Sequence, residues 1–148
     1  MTMIFLRRPA GRNSAMQFYK KKTITRGNYV PYLIRYSIFT CRWFAIKVHN
    51  ILLSDDACLH NHPWAFVTIL LSGGYFEESE HKGKTDFKYH RAPSILFRPA
   101  AWSHRLELRK PMWTLVITFK KVQDWGFFTP RGFVNWRDYW QDSEGRCE

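Results

Sequence analysis

The sequence predicts an all-β fold: a small double-sheet jelly-roll barrel with a basic N-terminal arm and a short C-terminal helix. Two observations predict it. From Tyr29 onward, short runs rich in β-branched and aromatic residues recur at nearly regular spacing, with turn-forming residues between them. No long amphipathic helical pattern interrupts these runs. A succession of about ten short strands of this kind is typical of barrels and double-sheet jelly rolls.

Each strand is delimited by residues that reverse the chain. The predicted strands are 32–39, 43–53, 58–62, 66–71, 75–78, 86–91, 94–97, 104–108 and 112–120. The turns contain Gly73-Gly74, Gly83, Pro99 and Pro111, which favour tight or fixed backbone conformations. Residues 134–141 are predicted to form the one short helix.

The chain of 148 residues is long enough for one hydrophobic core, so a single folded domain is expected. We predict a basic arm over 1–28, whose first half is flexible, and a barrel domain over 29–148 that ends in an aromatic flap. Residues 1–54 contain ten Lys and Arg and no Asp or Glu, although the whole chain has a net charge of only +11. Such an arm can bind nucleic acid or another acidic partner, or can simply keep an aromatic-rich domain in solution.

The cysteines and the hydropathy pattern indicate where the chain works. Cys41, Cys58 and Cys147 are odd in number and lack CxxC spacing, which predicts reduced thiols in a cytoplasm-like compartment. No apolar run approaches the roughly 20 residues of a membrane-spanning helix, and charged residues follow the apolar start directly, unlike in a secretory signal. We therefore expect a cytoplasmic protein without a membrane partner.

Three histidines form the strongest candidate site. His60 and His62 lie two apart in a predicted strand, so their side chains point to the same side. His104 begins another strand, on the face that it shares with Leu106 and Leu108, which is an unusual position for a histidine without a partner. Neutral imidazoles that converge in this way can share a metal ion. Patterns for a nucleophile elbow, a phosphate-binding Gly-rich loop, a Rossmann turn and HExxH are missing from the sequence.

The two histidine segments resemble the signature motifs of the cupin superfamily, small β-barrels that hold a metal inside. His60 and His62 match the first motif, and Gly73 or Gly74 falls where its glycine belongs. The glutamate of that motif is replaced, because Phe66 or Val67 holds its position. The resemblance extends from about Tyr32 to Lys120.

The second motif matches in part. Pro99 and His104 lie in register, whereas Pro93, Ala101 and Leu108 replace its two glycines and its asparagine. The resemblance implies that His60, His62 and His104 are the metal ligands. Fe(II) is the favoured ion, with zinc, nickel, copper and manganese as alternatives.

A cupin site of three neutral histidines resembles that of cysteine dioxygenase and related thiol dioxygenases. Without a carboxylate ligand the charge of the metal stays uncompensated, which suits a small anionic substrate that binds it directly. Glu77, Glu78 or Cys58 are open alternatives for a further ligand, although Cys58 is more simply a buried hydrophobic residue. Aromatic and charged neighbours of the histidines are the candidates for the substrate pocket: Trp64, Tyr75, Glu77, Phe97, Arg98 and Trp102. Arg105 faces away from His104 by strand alternation, so Arg98 is the better candidate to bind an anion.

The sequence thus predicts a metal-binding barrel. The first hypothesis for its function is a dioxygenase-like enzyme that acts on a small anionic substrate. The alternative is a non-catalytic ligand-binding, sensory or structural accessory protein that docks through its basic arm, as an accessory protein of a phage or mobile element would. A homodimer is also expected, since large aromatic residues such as those of the flap are enriched in interfaces.

Overall fold

A computed structural model describes residues 16–26, 30–141 and 147 of the chain. These residues form twelve strands and one short helix. The strands are β1 (Gln17–Arg26), β2 (Val30–Thr40), β3 (Ala45–Ile51), β4 (Leu59–His60), β5 (Phe66–Ser72), β6 (Gly74–His81), β7 (Lys84–Arg91), β8 (Ser94–Arg98), β9 (Ser103–Leu108), β10 (Met112–Thr118), β11 (Gly126–Thr129) and β12 (Gly132–Asn135). The helix α1 is Trp136–Tyr139.

The strands form two antiparallel six-stranded sheets. The first sheet has the order β1-β2-β3-β10-β5-β8, and the second has the order β12-β11-β4-β9-β6-β7. Neighbours in each sheet are mostly distant in sequence, as in a jelly roll, where successive strands alternate between sheets. The predicted all-β, double-sheet fold is therefore confirmed.

Apolar side chains from both sheets form the core. The buried cluster contains Leu33, Ile51, Leu70 and Met112 from the first sheet and Tyr75 from the second. The turn from β5 to β6 lies directly against this cluster. Gly73 has φ +79° there, and a Cβ atom on it would lie 2.9 Å from the Cβ of Met112. Glycine is therefore required both for the backbone conformation and for the close approach.

Two regions differ from the sequence prediction. The sequence predicts no strand over Gln17–Arg26, yet β1 pairs with β2 along its length. Its side chains are almost all exposed, so no alternation of apolar and polar residues marks it as a strand. The predicted flexible first half of the arm lies outside the described residues.

The aromatic segment predicted as a flap also contains regular structure. It forms the hairpin β11–β12, which extends the second sheet beside β4. The predicted short helix is present as α1, although it has only four residues. Within the described part of the chain, no helix has the length and apolar character needed to span a membrane.

The prediction of three reduced thiols is wrong for two of the cysteines. Cys58 and Cys147 form a disulfide across a sequence separation of 89 residues, and Cys41 is free. Cys58 is fully buried with Phe127 and Tyr139, and Cys147 packs against this cluster. Cysteine spacing could not reveal a pair whose approach depends on the chain end returning to β4. The cysteines therefore no longer support the predicted location in a reducing compartment.

Reduction of this disulfide is expected to destabilise the fold. Closing a loop of this length in the unfolded chain accounts for about 4–5 kcal/mol in the chain-entropy model. Urea unfolding with and without a thiol reductant measures the difference, and a Cys41→Ser variant serves as the control because it retains the pair. Equal unfolding free energies in both conditions would contradict the expected role of the disulfide.

Candidate metal centre

The two sheets enclose a cavity of about 580 Å³. That volume lies within the usual range for small-molecule sites. Side chains from both sheets line it, and the aromatic segment after β10 contributes Trp125, Phe127 and Trp136. His60, His62 and His104 all line this same cavity.

Strand pairing brings His60 and His104 together. β4 and β9 are antiparallel neighbours in the second sheet, and His60 and His104 are directly paired in register. Directly opposite residues project from the same face of a sheet with their Cβ atoms about 5 Å apart. Their imidazole centroids are 5.0 Å apart, and both rings point into the cavity.

His62 lies just beyond β4, and its position is fixed by contacts of both backbone and ring. Its carbonyl oxygen accepts a hydrogen bond of 2.7 Å from Nε2 of Gln123. Its ring packs edge-on against Phe66 with a centroid separation of 4.5 Å. These contacts hold the third imidazole beside the other two.

The ring nitrogens converge as ligands of one ion would. One nitrogen from each of the three histidines lies within 4.8 Å of the others, and His62 Nε2 is 2.9 Å from His104 Nε2. Two nitrogens bound to one ion at about 2.1 Å and at a right angle lie about 3.0 Å apart. Nδ1 of His60 is buried and has no hydrogen-bond partner among the residues that the structure describes, so it is available to bind another group.

Burial keeps two of these imidazoles in the form that binds metals. It lowers the pKa of His60 to about 4, and the pKa of His62 is also well below its usual value, with burial as the main cause and His104 as the next. A neutral imidazole has a free nitrogen lone pair, whereas the charged ring has none. The three-histidine cluster can therefore hold a divalent ion.

Glu77 orients the His104 ring by binding Nδ1, the nitrogen that is not directed at His62. Its carboxylate is 2% exposed, and Oε1 lies 2.6 Å from His104 Nδ1. Because a carboxylate only accepts hydrogen bonds, Nδ1 carries the proton that points to Glu77, and Nε2 lies on the side of His62. This carboxylate–histidine pairing is common behind bound metals, where it fixes the ring and raises its basicity.

The same carboxylate accepts hydrogen bonds from three other side chains. Arg98 donates to both oxygens, Trp102 Nε1 lies 3.1 Å from Oε1, and His90 Nε2 lies 3.0 Å from Oε2. Burial by itself would raise the pKa of Glu77, but the hydrogen bonds from His104 and Arg98 outweigh it and hold the pKa well below its usual range. Glu77 is therefore ionised, and its oxygens are occupied by donors.

The structure shows whether Glu77, Glu78 or Cys58 could serve as a further metal ligand. Glu77 has both oxygens engaged, and Cys58 is in the disulfide. Glu78 faces away from the cavity and pairs with Arg105, whose Nε is 2.6 Å from its carboxylate. Within the described residues, the only cluster suited to a metal is that of the three histidines.

Of the pocket candidates, Trp64, Tyr75, Glu77 and Arg98 line the cavity. Phe97 does not, because its neighbour Arg98 occupies the inward side of β8 and Phe97 is 60% exposed. Trp102 also lies outside the lining, where it stacks against Arg98 at 4.5 Å and donates to Glu77. Arg98 forms an ion pair with Glu77, so its guanidinium is not available to bind the anionic group of a substrate.

Sequence reasoning missed the polar side chains that the first sheet contributes. Arg35 of β2 and Lys47 and His49 of β3 line the cavity opposite the histidines. One signal was present: Lys47 and His49 share strand parity with Ala45 and Ile51, which are buried. Ile46 and Val48 on the other face are also apolar, so parity alone could not decide which face points inward.

Comparisons with known proteins identify the fold. No protein-family model matches the chain, and no curated protein does either. Among solved structures, HppE in its Fe(II) form has a TM-score of 0.57 and 11% identity, over 74% of this chain and 62% of that chain. An RmlC-like cupin from Shewanella frigidimarina has a TM-score of 0.53 and 13% identity, over 71% and 86% of the two chains.

A further neighbour is HEPD from Streptomyces albus, solved with Fe(II) and its substrate 2-hydroxyethylphosphonate. It has a TM-score of 0.55 and 11% identity, over 75% of this chain and 25% of that chain. The chain thus has the cupin fold, as its two histidine motifs predict. It spans less than two thirds of the HppE chain, and identities this low establish the fold alone.

Proposed function

We propose that this chain is a non-haem metal enzyme in which His60, His62 and His104 bind one divalent ion, with Fe(II) favoured, and that it is dioxygenase-like toward a small anionic substrate. The observation that supports this most is the approach of His62 Nε2 to His104 Nε2 within 2.9 Å, inside a cavity that fits a small molecule. The Fe(II)-containing neighbours HppE and HEPD have the same fold.

Each group in the site has a defined task under this proposal. A bound Fe(II) ion would supply redox chemistry with dioxygen and bind the substrate. The three imidazoles would hold the ion. Glu77 keeps a proton on Nδ1 of His104, so that Nε2 would be the nitrogen that binds the ion. The apolar walls, including Phe66 and Phe127, exclude bulk water from the reacting groups.

Metal content and oxygen consumption test the proposal together. Protein prepared without a His-tag and loaded anaerobically with Fe(II) is expected to bind about one ion per chain. It should then consume dioxygen with at least one member of a panel of small thiols, hydroxy acids and 2-hydroxyethylphosphonate. The control is the same protein loaded with Zn(II), which fills the site and has no redox chemistry.

The possible outcomes separate the candidate functions. If the protein binds stoichiometric iron but consumes no dioxygen with any compound of the panel, the dioxygenase hypothesis is contradicted and a binding or sensory protein is favoured. No bound metal would contradict the ligand assignment. A homodimer, a cytoplasmic location and nucleic-acid binding by the basic arm stay predictions from the sequence.

A further inference from the structure

Four cationic side chains line the cavity from the first sheet: Lys22 and Arg26 of β1, Arg35 of β2 and Lys47 of β3. Arg35 and Lys47 belong to the two strands nearer the middle of that sheet. Lys47 is only 8% exposed, and its Nζ lies 3.2 Å from Thr118 Oγ1 and 4.4 Å from the ring centroid of Trp64. Arg35 lies on the neighbouring strand and donates from Nε to His49 Nε2 at 3.2 Å. The charge of Arg35 acts on His62, so this part of the first sheet lies close to the histidine site.

Neither Lys47 nor Arg35 has a counter-ion in the part of the chain that the structure describes. The ion pairs of that part involve other residues. The three carboxylates in the cavity wall are engaged elsewhere. Glu77 binds Arg98 and His104, Asp55 accepts from Tyr32 and from the backbone of Leu106, and Asp56 accepts from Tyr139.

This uncompensated charge is costly for the fold. Burial lowers the pKa of Lys47 to about 8, with the positive charge of Arg35 as a second cause. At pH 7 the ammonium is therefore still mostly protonated, and the guanidinium of Arg35 stays charged although burial lowers its pKa as well. A methionine would fill the position of Lys47 without this cost, so packing gives no reason for a lysine there.

An unused polar group lies on the same wall. Thr114 Oγ1 is buried and has no hydrogen-bond partner within the described ranges, and Thr114 is paired in register with His49. A buried hydroxyl normally has a hydrogen-bond partner, so Thr114 Oγ1 is available to a polar group bound in the cavity. An oxyanion would accept hydrogen bonds from the hydroxyl, the ammonium and the guanidinium.

We propose that Lys47 and Arg35 form an oxyanion subsite that binds the phosphonate or carboxylate group of the substrate, while the rest of the molecule faces the three histidines. The assignment to a substrate rests on the proposed function, whereas binding of the acid group itself requires no metal. Two cations and a hydroxyl match a doubly charged phosphonate best, because it neutralises both charges.

Titration of metal-free protein with methylphosphonate and with acetate tests this subsite. Wild-type protein is expected to bind methylphosphonate more tightly than acetate at low ionic strength and pH 7. The Lys47→Met variant should bind at least about tenfold more weakly, since a hydrogen bond between charged groups contributes about 1.5–3 kcal/mol. Lys110→Met is the matched control: Lys110 is exposed in the turn before β10 and should have no effect.

Each outcome decides the proposal. Failure of wild-type protein to bind either anion, or equal binding by Lys47→Met, would overturn it. Binding of acetate alone that depends on Lys47 assigns the subsite to carboxylates. The melting temperature of Lys47→Met should not fall, because a desolvated charge is removed. If that variant does not fold, Arg35→Met carries the same test. Because the titrations contain no metal, a failed metal site would leave their result unchanged.

Discussion

The His60→Ala variant is expected to lose at least about 100-fold in affinity for a divalent ion. Loss of a group that only supports a metal ligand typically costs about 10–100-fold, and loss of a ligand itself costs more. His60 has a buried Nδ1 without a hydrogen-bond partner in the described part of the chain, and the register of β4 with β9 places His60 opposite His104. Titration of the metal-free protein with Co(II), followed by visible absorption, measures the change.

His81→Ala is the matched control for this experiment. His81 ends β6 and stacks on Trp102, outside the cavity lining. Its removal should leave metal affinity unchanged. His62→Ala should behave like His60→Ala, because both rings belong to the same cluster. Equal Co(II) affinity in wild-type protein and in both cluster variants would refute the three-histidine site.

The Glu77→Gln variant is expected to lower both stability and metal affinity. Removing one partner of a buried ion pair typically costs about 3–5 kcal/mol, because the remaining charge is left without compensation. Here that charge is Arg98. His104 also loses the carboxylate that orients it, which should weaken metal binding by about 10–100-fold. Urea unfolding at pH 7 and Co(II) titration measure the two effects.

Glu78→Gln is the control for Glu77→Gln. Glu78 is the next residue on β6, but it pairs with Arg105 at the surface. Exposed pairs contribute about 0–1 kcal/mol, so this variant should unfold nearly as wild type does and bind Co(II) normally. Equal losses for the two variants would show that Glu77 has no special role.

The effect of Glu77 on stability should also depend on pH. Its pKa in the folded protein is lowered, so its ionised form stabilises the fold above the pKa of about 4.3 in the unfolded chain. As the pH falls below that value, the unfolded chain binds a proton that the folded one does not, and the stabilisation decreases. The difference in unfolding free energy between wild type and Glu77→Gln should therefore shrink below about pH 4.

Much of the three-histidine cluster was predictable because it depends on local geometry. The spacing of His60 and His62 fixes a common direction for their side chains, and His104 stands out at the head of an apolar strand face. Alternation also placed Arg105 outward, as the structure shows. The same rule could not choose between Glu77 and Glu78, because it states only that the two point in opposite directions.

What the sequence determined by itself is the all-β class, the main turns and the two histidine motifs, since each depends on residues close together in the chain. The tertiary structure decided which face of β3 points inward, and so that Lys47 lines the cavity. It also decided that Glu77 neutralises Arg98 and that Cys58 meets Cys147. The physical reason is that strand alternation fixes side-chain directions only relative to one another. Which face is buried, and which distant groups compensate each other's charge, depends on how the two sheets pack.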